Sequence, residues 1–442
     1  MRIIPTVTAR HVHVSPRHYT VLKMPLASRW LESDLGRVVR NSSYLLCVHG
    51  GNYVVPLVVL FYLVKILGVE SFGVYAICAA VAAYVQVIID YGFSLTGCRA
   101  VAQNKGDLRF VSGVFWEVLL SKLLVASLVL LVCVLCFWLI GLDQNIFLPA
   151  VLSAVFVSLT PVWFFQGLES FRGVTFFNVT GKVLSCIPVV LLVKGPGDLY
   201  VVFYSQAFFA FLVMLVVYFH IFQAGLVLKV PVADLNVGRQ LREGWHIFSA
   251  TLSSMVITNG GTLWLGANYP SSVVGVYASV ERIVKAVSSL FVPLSQAIYP
   301  INSRAFGAGV KVGLRSVLLT GGAFMTVGVF VALAFLLSYS FFLDFFNYPE
   351  QSFTYFKLFS AWIVMGVINN VLGTQLLTAG GHPRVYAKCF YVTALVFVAA
   401  AYVMIGAYAG LGAVYSLLVA EAVLSMLLLL SSVMVFRREG FR

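Results

Sequence analysis

Apolar residues fill this chain in long runs, and polar residues collect in the short breaks between them. A helix that crosses a bilayer needs about 20 mostly apolar residues. Twelve runs meet that need: roughly 42–64, 73–96, 112–138, 146–166, 174–193, 199–221, 246–267, 273–299, 315–338, 354–378, 386–406 and 410–436. The third and tenth also carry charges. The pattern predicts an all-α membrane protein of about twelve transmembrane helices.

Composition strengthens this reading. Of 442 residues, 61% are hydrophobic and 10% charged, against about 25% charged in a typical soluble domain. A soluble fold of this size has no interior large enough for so much apolar surface, so lipid must be the solvent over most of the chain. The formal charge of +13 does not indicate nucleic acid as a partner, because Lys and Arg occur singly or in pairs between runs rather than in basic stripes with interleaved aromatics. They report topology instead. With the N-terminus inside, the cytoplasmic segments hold 22 Lys and Arg, from Arg2 to Arg442, while the opposite side holds only Lys65 and Lys194. The positive-inside rule then places both termini in the cytoplasm and supports an even number of spans. The outward loops are short, which disfavours a membrane glycan polymerase with a folded exterior loop. The seven cysteines lie in or beside apolar runs; Cys133 and Cys136 form a CxxC with neither a second CxxC nor a nearby His to complete a metal site. Residues 1–36 hold no uninterrupted apolar segment of signal-peptide type. No phosphate loop, metal spacing or nucleophile motif points to an enzyme or to a cofactor.

The chain also repeats itself weakly. Arg40 precedes Gly73-Val74-Tyr75-Ala76 as Arg242 precedes Gly275-Val276-Tyr277-Ala278, at an offset of 202 residues. Phe164-Phe165-Gln166-Gly167 before Arg172 matches Leu376-Leu377-Thr378-Ala379 before Arg384, at an offset of 212. The repeat implies two six-helix halves in parallel orientation, with a site expected between them. The division reads as a tail at 1–39, an N-lobe at 40–222, a linker at 223–241, a C-lobe at 242–436 and a tail at 437–442.

Polar residues inside spans are the candidates for function, because a charge at a helix centre costs about 2.5–3.5 kcal/mol on insertion scales. The eighth run carries Glu281, Arg282, Lys285, Ser288, Ser289, Ser295 and Gln296 as one helical stripe. Glu281 and Lys285, four residues apart, can pair and leave Arg282 with surplus charge. Glu281 lies roughly 13 Å in from the start of its run at a rise of about 1.5 Å per residue. Weaker stripes are Gln86, Asp90 and Ser94; His49, Asn52 and Pro56; and Thr251, Ser254, Thr258 and Thr262. Helix–helix hydrogen bonding is the competing explanation for these Ser and Thr residues. Glu117 and Lys122 are five apart and are expected to find separate partners. Lys182 either reaches for the interface or lines a cavity. Glu421 is deep and has no local partner.

Several segments resemble the bacterial polysaccharide flippases, the O-antigen and exopolysaccharide branch of the multidrug/oligosaccharidyl-lipid/polysaccharide exporter superfamily. They are Arg40-Asn41, Asn52 to Leu57, Leu67-Gly68, Phe72-Gly73, Asp90 to Phe93, Pro161 to Glu169, and Gly373 to Leu377 with Pro383-Arg384. The resemblance runs from about Arg40 to Phe436. It implies two lobes around a cavity that opens alternately to each side of the bacterial inner membrane. The implied substrate is an oligosaccharide linked through pyrophosphate to a polyprenyl lipid, driven by an H+ or Na+ gradient, with other glycan-assembly proteins as possible neighbours. On this basis Arg282, Lys285 and Lys182 are candidates for the anionic head group, Asn52, Gln86 and Gln296 for sugar hydroxyls, and Asp90, Glu281 and Glu421 for ion coupling. A drug/cation antiporter of the same superfamily is the nearest alternative; its cavity should be acidic. The long tail departs from the family pattern, with Met24 as an alternative start.

Overall fold

The computed structural model describes the backbone of residues 34–170, 172–231, 235–346 and 352–440, and side chains in those ranges other than 34–57, 140, 172, 175 and 438–440. The expectations for residues 1–23, for His49 and Pro56 and for Asn52 therefore lie outside the described side chains. The chain divides into residues 1–49 and residues 50–442. In the first unit, residues 34–49 are helical. The second unit is a helical bundle.

Every regular element among the described residues is helical, and the helices make twelve passes. Residues 50–90 contribute the first two, which reverse at Gly68 (φ 70°), a left-handed conformation that glycine adopts without steric cost. The third is Leu108–Ile140 and the fourth Gln144–Leu159, continued by Val162–Gly167. The fifth and sixth are Arg172–Leu192 and Leu199–Gln223. Val237–Asn268 is the seventh. The eighth is broken into Ser271–Ser289 and Phe291–Gly307. Val310–Leu337 is the ninth, and Phe353–Asn369, running on into Asn370–Thr378, the tenth. Pro383–Gly440 supplies the last two, reversing at Ala409.

Side-chain oxygens fix several helix starts. Asp107 accepts from the backbone N–H groups of Arg109 and Phe110, each at 3.0 Å, and Asn236 accepts from that of Arg239 at 2.9 Å. These bonds satisfy donors that a first helical turn leaves open.

The surface is that of a protein in lipid. Leu124, Leu128, Leu131, Trp138 and Leu139 of the third span are exposed, as are Leu318, Leu319, Phe330 and Leu337 of the ninth. Within the bundle, buried Leu63, Phe72, Ile89, Phe203, Tyr277 and Phe356 form the apolar core. Seven helices among the described residues pass a strict test of length and apolarity for crossing a membrane. The fifth span is short in apolar length, and the seventh and eighth carry too many polar side chains. Those last two both pack against helices of the first six spans.

Candidate functional site

The two ends of the bundle differ. One carries the Arg- and Lys-rich loops and is called here the basic face; the other carries the turns at Gly68 and at Tyr269-Pro270. At that opposite face the second and eighth spans approach until their backbones touch. A Cβ added to Gly73 would lie 1.9 Å from the carbonyl oxygen of Ser271, and one added to Gly275 would lie 1.8 Å from that of Val69. These contacts are mutual images: 69 pairs with 271 and 73 with 275 under the offset of 202 seen in the sequence repeat. Only glycine permits so close a packing of backbones. Beside the seam the Arg282 guanidinium lies 4.6 Å from the ring centre of Tyr75 and 5.7 Å from that of Phe72. Phe61 of the first span stacks on Phe342 and Phe346 at 6.0 and 5.9 Å, and Lys65 caps the Phe345 ring at 4.5 Å.

At the basic face the seventh span is fastened to the second and third. Tyr91 (φ 45°) and Gly92 (φ 82°) turn the chain out of the second span. The turn presents Tyr91 to Phe248, ring centres 4.5 Å apart, and sets Gly92 against Gly244 and Ile247. Buried Glu117 of the third span accepts from the backbone N–H of Asn236 at 3.1 Å, the Arg239 guanidinium at 2.8 Å and the Gln240 amide at 2.9 Å.

Between these ends lie the polar groups of mid-span. Glu281 is buried. It accepts from Tyr277 at 2.9 Å and Thr262 at 3.1 Å, and pairs with Lys285 at 3.1 Å. Lys285 also donates to the carbonyl of Thr258 at 2.5 Å. The sequence placed Glu281, Arg282 and Lys285 on one stripe. In three dimensions Glu281 and Lys285 turn to the seventh span, while Arg282 turns to rings of the second. Asp90 pairs with Lys122 of the third span at 2.8 Å and accepts from Ser94; Lys122 also donates to the carbonyl of Ser158 at 2.9 Å. Glu117 and Lys122 thus have separate partners, as their spacing required.

Gln86 and Lys182 come together. They line a cavity of about 560 Å³ bounded by the first, second, fourth, fifth and sixth spans, within the usual size range of a small-ligand site. Gln166, Asn178 and Gln206 share that lining with Tyr75 and Phe209; the sequence did not single out these three amides as candidates, and each stands alone in an apolar run. Gln296 lies elsewhere, exposed on the latter half of the eighth span.

Amides of the later spans behave differently. Asn302 donates to Gln375 at 3.1 Å and accepts from Ser316 and Thr320; Gln375 donates to Ser295, which donates to Asn370. This network ties the eighth and ninth spans to the π-helical stretch Asn370–Thr378. Glu421 accepts from Trp362 at 3.1 Å and from Asn369, and no cation lies beside it among the described residues.

Residues 38–306 match the family described as Polysaccharide biosynthesis protein. A curated protein of Escherichia coli (strain K12) is 26% identical over 408 residues, covering 88% of this chain and 95% of its own length. One of Shigella dysenteriae is 24% identical over 396 residues, covering 88% and 98%. Both carry the name "Putative O-antigen transporter". The solved inward-facing conformation of a multidrug resistance MATE family transporter of the MOP superfamily is similar with a TM-score of 0.64 at 15% identity, over 86% of this chain and 95% of that one. The outward-facing conformation of such a transporter gives 0.63 at 13% identity, over 95% and 99%. At these identities the structural likeness concerns the fold.

Proposed function

Because this chain belongs to the polysaccharide biosynthesis protein family and is a multi-pass membrane protein of MATE-like transporter fold, we propose that it is a flippase for polyprenyl-pyrophosphate-linked oligosaccharide units. It works by alternating access in the bacterial inner membrane, with both termini in the cytoplasm. Residues 40–222 act as one lobe and 242–436 as the other, joined by the linker 223–241. No catalysis is assigned to it.

The observation that carries this reading is the pairing of a glycine seam at one face with polar and cationic side chains at mid-depth. A seam that closes one end by backbone contact, stacked rings and cation–ring contacts can part without breaking an ion pair. If the basic face is cytoplasmic, the seam is the outward gate, and it is closed in this structure. Arg282, Lys285 and Lys182 then serve the anionic head group, and Gln86, Gln296 and Asn52 the sugars. Of the coupling carboxylates, Asp90 and Glu281 already face Lys122 and Lys285. Glu421 has only neutral donors and is the first to test for gradient coupling.

The test is complementation of a flippase-deficient strain carrying the cognate glycan genes, with wild type, Arg282→Ala and Lys285→Ala at equal membrane level. Restored surface glycan with wild type and loss with both variants is expected. Restoration by all three would remove the cations from the site. Failure of an expressed wild type would overturn the substrate class and favour the drug/cation antiporter.

A further inference from the structure

Inside a membrane protein a polar side chain with no partner costs free energy, so amides there are normally bonded. In the later spans Asn302, Gln375, Asn369 and Asn370 bond to neighbouring side chains. The amides that line the cavity among the first six spans, partly buried or exposed, are used differently. Gln86, Gln166 and Gln206 line it, come from the second, fourth and sixth spans, and make no hydrogen bond to any described residue. Asn178 spends one N–H on the carbonyl of Val174 at 2.9 Å and keeps its oxygen and second N–H. Three helices thus direct complete, unspent amides into one space of about 560 Å³, and the rings of Tyr75 and Phe209 stand in its wall.

We infer that this cavity is the subsite that reads the glycan, and that Gln166, Gln206 and Asn178, with Gln86, determine which repeat unit is accepted. An amide carries two donors and an acceptor with two lone pairs, the complement of vicinal hydroxyls that each donate and accept. Aromatic rings offer apolar faces to the C–H faces of a pyranose. A pyrophosphate would need charge instead, which these six residues lack and which Lys182, in the same lining, would supply. A site built to hydrogen-bond a ligand's hydroxyls discriminates strongly against ligands that lack them, by as much as 10⁴–10⁵ where each bond is essential. The inference rests on the flippase reading and adds the place where sugar identity is sensed.

The test uses full-length protein with Gln166→Met and Gln206→Met, singly and together, and Gln86→Met as a third. Methionine keeps side-chain length and removes the hydrogen bonds. Three quantities are read: melting temperature in detergent, stabilisation by farnesyl pyrophosphate as a sugar-free probe, and surface glycan in the flippase-deficient strain. The expected result is an unchanged or raised melting temperature, unchanged response to farnesyl pyrophosphate, and surface glycan reduced at least tenfold in the double variant. Full surface glycan in the double variant at equal membrane level overturns the subsite. A lowered melting temperature in all three variants also overturns it, since it would mean that the amides brace the helices. If wild type itself restores no glycan, the flippase reading fails first and the subsite falls with it.

Discussion

Gly73→Ala places a methyl group where the seam has no room. The added carbon would lie 1.9 Å from the Ser271 carbonyl oxygen, whereas a carbon rests against such an oxygen at about 3.3 Å or more. The second and eighth spans must therefore separate by ~1.4 Å at this point. Both atoms belong to helical backbone, so no side chain can rotate aside. Excess volume in a packed interior costs about 1–3 kcal/mol, which corresponds to a shift of about 5- to 150-fold in a two-state equilibrium. The shift is towards the state in which the seam is parted. The assay is the labelling rate of a single cysteine at Val59, which lines the cavity, in a background lacking the seven native cysteines. A membrane-impermeant maleimide is added from the seam side. Labelling should accelerate 5-fold or more in Gly73→Ala and equally in Gly275→Ala. Gly322→Ala, where an added Cβ meets nothing within 4 Å, serves as the control. An unchanged rate in both seam variants at equal membrane level would refute the gate.

Three further outcomes are expected. Glu117→Ala strands the Gln240 amide and the Asn236 N–H, at about 1–3 kcal/mol each, and Arg239→Ala leaves the buried Glu117 carboxylate without its cation, so both should lower the melting temperature in detergent, and an unchanged melting temperature in Glu117→Ala would remove Glu117 as the anchor. The ion pair at Asp90 is lopsided, with Lys122 at 4% side-chain exposure and Asp90 at 37%; Asp90→Ala, which leaves a buried ammonium ion, should destabilise more than Lys122→Met, and equal losses of melting temperature would count against that asymmetry. Tyr75→Leu and Arg282→Gln should show a coupling of about 0.5–2 kcal/mol in a double-mutant cycle read by the same Val59 cysteine; strict additivity would mean that the stacked guanidinium does not hold the gate.

Helix count and order were legible because a bilayer demands long apolar runs whatever their packing. The Gly-Val-Tyr-Ala repeat was legible as a repeat, and its spacing returns as the reciprocal contact of Gly73 and Gly275. The strength of that contact was not legible, since a glycine in a sequence does not disclose what lies opposite it. The eighth-span stripe shows the limit of periodicity. Residues 281, 282 and 285 share a helix face, yet the long side chains of Arg282 and Lys285 reach different neighbours. Gln166 and Gln206 had no stripe to reveal them; they matter because helices distant in the chain bring them to one space. Lys122 differs again: the acid of its own span, Glu117, lies five residues away and pairs with Arg239, and Asp90 meets Lys122 only through the packing of the second span on the third.

The seam has one more consequence, for heredity. Each glycine holds its counterpart's place under the 202-residue offset, and each meets the other's helix, so neither contact can drift without disturbing the other. A mutation at one would find no relief through a second change beside it, because the opposing surface is carbonyl oxygen, which is the same for every residue. Compensation would have to come from elsewhere in the bundle, through the tilt of whole helices. The pair should accordingly accept fewer replacements than buried Phe72 or Tyr277, although a glycine presents no side chain to lose.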